Sequence, residues 1–374
     1  MRSVNFFLVL FVVPSAGTTA AQSVGTFPSA DSMLRDAKHK EPKSGVQIGP
    51  GNTISIQSGV GTPTTINVLS FGKGGALLAA GKDFGRVVVW DVAKRSFLCA
   101  IDTGQGIVHA VAISPDGQVL ATAGEGGGFS LKLWRLPDGK LLQTYKSFES
   151  YITSLAFGPA GSWLVIWENG VGTHVIDVTT GKRLLDSEET YAPVLSPDGS
   201  ILMAVNKTEF MFWNTANWTQ QRTLPRLPDV AIPLALDPKS DSFVITSASA
   251  FQLVRLSTGE LLPSAPEQPL PGFNGAAGGF AAFDISVSGL LFGHSDGRLW
   301  AWDSHTGRTC VSDVMFSESG SLSPDGSVLA GAKGNSILAQ GQSPDGVEIW
   351  DTTRLAEKCG IGSPGTTETA SPGR

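Results

Sequence analysis

The run RVVVWD at 86–91 returns in altered form six times, as LKLWR at 131–135, THVID at 173–177, FMFWN at 210–214, FQLVR at 251–255, LWAWD at 299–303 and VEIWD at 347–351. Counted at the Trp or its replacement, the positions are Trp90, Trp134, Ile176, Trp213, Val254, Trp302 and Trp350. The successive spacings are therefore 44, 42, 37, 41, 48 and 48 residues. Each run has the β-branched, aromatic and aliphatic side chains that favour strands. A period of this length with a Trp-Asp pair is the spacing of a four-stranded sheet repeated around a ring.

Turn chemistry divides each unit. SPDG stands at 114–117, 196–199 and 323–326, with FGKG, FGPAG, DPKS and SVSG in the other units. Pro presets one turn angle, Asp bonds nearby backbone and Gly supplies positive φ, so these segments end strands by a known mechanism. A unit then reads strand a, turn, strand b, turn, strand c with the Trp, turn, strand d. The c–d turns are PDGK at 137–140, TTGK at 179–182, STGE at 257–260 and HTGR at 305–308. On these residues the chain resembles the WD-repeat β-propellers over residues 53–360. The resemblance implies an all-β, seven-bladed β-propeller of four-stranded antiparallel blades, and says little about function. TISIQS at 53–58 precedes the first strand a, as a strand d does at every later junction. It is therefore expected to pair with the last blade and close the ring, removing exposed edges, with Ile54 and Ile56 buried.

The resemblance also implies structural repeat positions: the strand-c Trp residues Trp90, Trp134, Trp213, Trp302 and Trp350, and the b–c turn residues Asp83 and Asp296. In that family a His before strand a and a Ser or Thr in strand b join them in a hydrogen-bond network. Here the His is missing, and Gly104-Gln105 stands where Gly-His is usual. The network is expected to be incomplete, with the third and fifth units lacking even the Trp. Stability then rests on apolar burial, at about 25 cal/mol per Å². Trp163, Trp167, Trp218 and Trp300 lie outside the repeat register and read first as packing between blades.

Arg2, an apolar run from Phe6 to Val13, Pro14 and the small residues up to Ala21 read as a secretory signal cleaved after Ala21. The domain division is a signal at 1–21, a polar linker at 22–45, the propeller at 46–360 and a Gly/Ser/Thr/Pro-rich tail at 361–374. The protein is expected to be secreted or periplasmic and monomeric. Formal charge is −6, and −7 once Arg2 is removed, which argues against nucleic acid or an anionic membrane as partner. Export permits a disulfide. Cys99, Cys310 and Cys359 each follow their strand-c Trp by eight or nine residues, and the pair expected is Cys310 with Cys359.

His39, His109, His174, His294 and His305 show no metal-ligand spacing, and no GxSxG elbow occurs. No catalytic, cofactor-binding or metal residue is assigned, and no cofactor is implied. DVTTGK at 177–182 is similar to a turn repeated in quinone-cofactor propellers. There a Trp follows the turn, whereas Leu141-Leu142, Leu184-Leu185 and Leu261-Leu262 follow the turns here. The leading expectation is an exported, non-catalytic scaffold that binds a protein or peptide. Its binding face would be the d–a and b–c loops, which vary most at 125–128, 263–279 and 334–346. The alternative is an enzyme or quinone-cofactor-binding propeller with its site at the central channel.

Overall fold

The computed structural model of the chain describes residues 46–48, 54–57, 65–226, 232–237, 241–246, 251–262, 281–285, 290–295, 298–303, 308–333 and 346–354. The first sheet has strands Ile66–Gly72, Leu77–Lys82, Arg86–Asp91 and Ser96–Asp102, antiparallel and in chain order. The second has Val108–Ile113, Val119–Gly124, Ser130–Arg135 and Lys140–Tyr145. The third has Ile152–Phe157, Trp163–Glu168, Gly172–Asp177 and Arg183–Glu188. The fourth has Tyr191–Leu195, Ile201–Val205, Glu209–Asn214 and Thr219–Pro225. Among the described residues the fifth has three strands, Ile232–Asp237, Ser242–Thr246 and Phe251–Arg255.

Among the described residues the remaining strands form one eight-stranded sheet, so the hydrogen bonding gives six sheets where the repeat count predicts seven. The cause is a single strand, Thr309–Leu322, of 14 residues. Its first part pairs with Arg298–Asp303 and its second with Val328–Lys333. The segment has no Pro, and its only Gly is Gly320, so nothing in it forces a reversal. At the far side of the sheet Ile54–Gln57 pairs with Gly346–Asp351, Ile54 opposite Ile349 and Ile56 opposite Val347. The side chains of Ile54 and Ile56 lie outside the described residues.

Successive side chains of a strand point to opposite faces, and here each face meets a neighbouring sheet. Leu78, Ala80, Val88 and Trp90 of the first sheet pack with Ala330, Ala332, Val347 and Ile349 of the eight-stranded sheet. Their alternates Ala79, Val87 and Val89 pack with Val108, Val111, Leu120 and Trp134 of the second. Ser319 and Ser321 add polar ties: the Ser319 hydroxyl donates to Asn67 O at 2.7 Å, and the Phe71 amide donates to Ser321 Oγ at 3.2 Å. All five strand-c Trp residues are buried, as are Ile176 and Val254 in their places. Trp300 is also buried, and Trp163 packs edge-on to Trp218 at 4.9 Å, so these out-of-register rings serve packing.

One expectation is refined. In the second sheet Gln105 takes the place of the missing His, and an unbroken chain of bonds runs from Trp134 to Ser130 without a b–c turn Asp. Trp134 Nε1 donates to Thr122 Oγ1 at 2.8 Å, and Thr122 Oγ1 donates to Gln105 Oε1 at 2.5 Å. Gln105 Nε2 then donates to Ser130 O at 2.7 Å and contacts Ser130 Oγ at 3.2 Å. A primary amide carries both an acceptor and donors, so it can replace the two nitrogens of an imidazole at a buried position.

The three SPDG turns are the same device. In each, the Gly amide donates to the Ser carbonyl, at 2.8 Å for Gly117, 2.7 Å for Gly199 and 2.7 Å for Gly326. The Ser hydroxyl donates to the Asp carboxylate and accepts the first amide of strand b, as Ser196 does with Asp198 at 2.6 Å and Ile201 at 3.0 Å. Bonds from Ser196 and then the Ser200 amide hold the Asp198 carboxyl below the usual carboxylate range. At Asp325 burial pushes upward, but the bonds from Ser323 and Ser327 outweigh it and the net direction is down. These carboxyls release their protons more readily folded than unfolded. Their stabilisation is therefore complete above the unfolded value of about 3.9 and is lost as pH falls through the lower folded values. Melting followed from neutral to acid pH should show a smaller acid loss in Asp198→Asn and Asp325→Asn than in the native chain.

Candidate interaction face

The b–c turns and d–a loops emerge at one end of the sheets. In the first sheet the b–c turn is Asp83–Gly85. Asp83 accepts from Asn67 Nδ2 at 2.9 Å and from the Thr65 amide at 3.3 Å, fastening the strand that enters the sheet. Phe84 follows with φ 59 and is 81% exposed. That backbone region costs a residue with a Cβ roughly 1–2 kcal/mol. Gly85 has φ +76, and a Cβ there would lie 2.9 Å from the Gln105 nitrogen. Only glycine lets the 103–105 segment come so close. Thr103 completes the joint, its amide and its hydroxyl each donating to Gly85 O at 2.7 Å. Lys132 Nζ donates to Thr103 O at 2.6 Å. Burial, followed by the charge of Lys146, lowers the Lys132 pKa.

Along the same end, Ile107 is 37% exposed in the loop entering the second sheet. His109, at the start of its strand a, places Nε2 3.2 Å from Glu125 Oε2 in the b–c turn. Tyr151, also 37% exposed, lies in the loop entering the third sheet, its ring 5.3 Å from that of His109. Phe84, Ile107, His109 with Glu125, and Tyr151 thus stand on consecutive loops of three sheets. Apolar and aromatic groups beside hydrogen-bonding ones are the usual anchors of protein contacts.

The third sheet holds its entering loop differently. Glu168, 1% exposed, ends strand b, and His174, 2% exposed, lies in strand c. Glu168 Oε1 accepts the Ser150 amide at 2.7 Å and also the Glu149 amide. Its Oε2 is 3.2 Å from His174 Nε2, a close contact without hydrogen-bond alignment. On the other side His174 Nδ1 contacts Asp186, and Arg183 Nη1 reaches Asp186 Oδ1 at 2.8 Å. Among the described residues no group of His, Cys, Asp and Glu has the arrangement of a metal site, and no helix is long and apolar enough to cross a membrane.

The opposite turns are held from within. Asp177 accepts the Thr180 amide at 2.7 Å, the Thr180 hydroxyl at 2.8 Å and the Thr179 amide at 3.1 Å. Bonds from Thr180 foremost keep its carboxyl below the usual range. The DVTTGK segment is thus a turn whose acidic group is engaged locally. Cys310 is disulfide-bonded, whereas Cys99 keeps a free thiol, pushed up to about 11 by burial and then by Asp138. Asp296, His305, Cys359 and the loops 263–279 and 334–345 lie outside the described residues.

The family model "WD domain, G-beta repeat" matches residues 98–135, the segment that includes Gln105, Thr122 and Trp134. Sequence and fold together support a WD-repeat propeller family. The chain is 25% identical over 183 residues to "Periodic tryptophan protein 2 homolog" of Dictyostelium discoideum, covering 46% of this chain and 20% of that protein. It is 31% identical over 128 residues to "Small ribosomal subunit protein RACK1y" of Oryza sativa subsp. japonica, covering 32% of this chain and 37% of that protein. The matched regions thus span well under two thirds of these relatives' own lengths. The Cps50 (Swd1) β-propeller domain of Myceliophteria thermophila superposes with TM-score 0.60 at 15% identity, over 78% of this chain and 98% of that domain, a likeness of fold.

Phe84 is both strained and solvated, so the fold does not need its side chain. Phe84→Gly relieves the left-handed strain and adds unfolded-state entropy, leaving a net gain of roughly 0.5 kcal/mol. Its melting temperature should match or exceed that of the native protein. A drop of several degrees would show that the aromatic ring is part of the core.

Proposed function

We propose that this chain is an exported, non-catalytic, seven-bladed WD-repeat propeller that binds a protein or peptide through its b–c and d–a loop face. The observation that carries the binding face is Phe84, an aromatic held in solvent at φ 59 on a turn locked by Thr103. Exposed strain of this kind concentrates where a fold serves a partner. The seven-blade count rests on splitting the eight-stranded sheet where Thr309–Leu322 changes partner between Met315 and Phe316. One half then has four strands and the other five, with Ile54–Gln57 as the fourth strand of the last blade, closing the ring, and Val46–Ile48 paired outside it. Ile107, Tyr151 and the His109–Glu125 pair supply the rest of the face.

Export rests on the N-terminal signal and on the bonded state of Cys310. We assign its partner as Cys359, a bond suited to an oxidising compartment. The first test is expression through a secretory route. The mature protein should begin at Gln22 and show one free thiol, Cys99, under non-reducing mass spectrometry. A retained N-terminus with three free thiols would overturn export. The second test is affinity capture. Phe84→Ala with Tyr151→Ala should lose the captured partner, whereas Lys182→Ala on the opposite turns should keep it. Equal capture by the double variant would move binding to another surface.

A further inference from the structure

The loop that presents Tyr151 has no strand of its own to hold it. Its fixed points among the described contacts are the packed Phe148, the Tyr151 carbonyl, which accepts the Asn169 amide at 3.0 Å, and the Glu149 and Ser150 amides, both donated to one oxygen of Glu168. A carboxylate 1% exposed is costly unless bonded and balanced. Here two amides bond it and His174 faces its second oxygen at 3.2 Å. The groups around His174 are Glu168 from strand b and Asp186 with Arg183 from strand d. Arg183 Nη2 also reaches back to Ser147 O at 3.4 Å, in the same loop. Two residues after Glu149, Tyr151 meets His109, whose other contact is Glu125. A continuous set of contacts therefore runs from the outer strand of the third sheet to the exposed rings of the loop face.

We infer that Glu168 is a positioning residue of the binding face: its buried carboxylate, bonded by the two loop amides, fixes the 149–150 segment and thereby the approach of Tyr151. This rests on reading that face as the binding surface. It goes beyond it by assigning an interior charge to the aim of an exposed anchor. Gln at this position would keep an acceptor oxygen for the amides but lose the carboxylate charge that strengthens those bonds. Ala would lose both.

The test is hydrogen exchange and ring-contact NMR on the mature protein, with no partner needed. In Glu168→Gln the Glu149 and Ser150 amides should exchange roughly ten- to a hundredfold faster than native, since bonds to charged groups are the stronger kind. Glu168→Ala should be faster still. The Tyr151–His109 ring contact should weaken in the same order, while amides in the strands of the second sheet keep native rates. Native protection at both amides in Glu168→Gln overturns the assignment. So does faster exchange spread evenly through the second and third sheets, which would mark a general stability role. Should Glu168→Gln fail to fold, Asp186→Asn cuts the same network at its half-exposed end. It should accelerate the same two amides to a smaller extent, and unchanged rates there overturn the inference. If Tyr151→Ala leaves partner capture intact while these exchange results hold, it is the binding face that is misplaced, and the role of Glu168 stands.

Discussion

The fold depends on fastening each entering segment to the sheet it enters. Strands b, c and d of a unit are joined by turns, but strand a arrives from the neighbouring unit. Its position is set by bonds from the b–c side of its own sheet. The first three sheets meet this need with different chemistry. Asp83 binds Thr65 and Asn67 in the first. The neutral chain Trp134–Thr122–Gln105–Ser130 holds the second. Buried Glu168 holds the third through two amides. The acidic side chain of Asp83 sits in a turn, whereas Glu168 lies in the interior and depends on the amides bonded to it. Geometry is thus preserved while the residues that enforce it change.

This explains why the period was easier to read than the network. The spacing of Trp90, Trp134, Trp213, Trp302 and Trp350 reports a length constraint, since each unit must complete four strands before the next. The SPDG turns report backbone angles, which few residues satisfy. Both signals are local, so both were legible. Gln105 was seen in the right place, but the family pattern names His there, and equivalence of an amide and an imidazole shows only in the hydrogen bonds. Glu168 and His174 carry no signal of their contact in the sequence, because their burial is settled by cross-strand register, Glu168 opposite Gly172 and Ile166 opposite His174. The continuity of Thr309–Leu322 was hidden for the opposite reason. The repeat demands a corner there, but the residues carry no strong turn signal before Gly320.

Apolar packing supplies the bulk of the cohesion and explains the tolerance of lost Trp residues. In the third sheet Leu164, Ile166 and Ile176 face the second sheet, packed with Ala121, Ala123, Leu131 and Leu133. Val165 and Val175 face the fourth, with Leu202, Ala204 and Trp213. Small side chains on one sheet meet larger ones on the next, so the interior fills without a ring at every strand-c position. Replacing Trp by Ile176 removes an indole donor as well as volume. The third sheet compensates at its loop end with the Glu168 and His174 pair, and leaves its apolar centre undisturbed.

The two ends of the sheets are built differently among the described residues, and the difference has a physical basis. Turns at the c–d end are stabilised within themselves, as Asp177 shows by bonding Thr179 and Thr180. A side chain already engaged in shaping its own turn has little left for a partner. At the b–c and d–a end the shaping groups are Gly85, Thr103, Gln105 and Glu168, set behind the surface. Phe84 stands in solvent, and Ile107 and Tyr151 are partly exposed. Rigid support behind an exposed aromatic lowers the entropy lost on binding, because the anchor is ordered before a partner arrives. The left-handed Phe84 follows from the same arrangement: the turn is fixed by the contacts of Gly85 with Thr103, and the residue preceding it must accept the remaining angles.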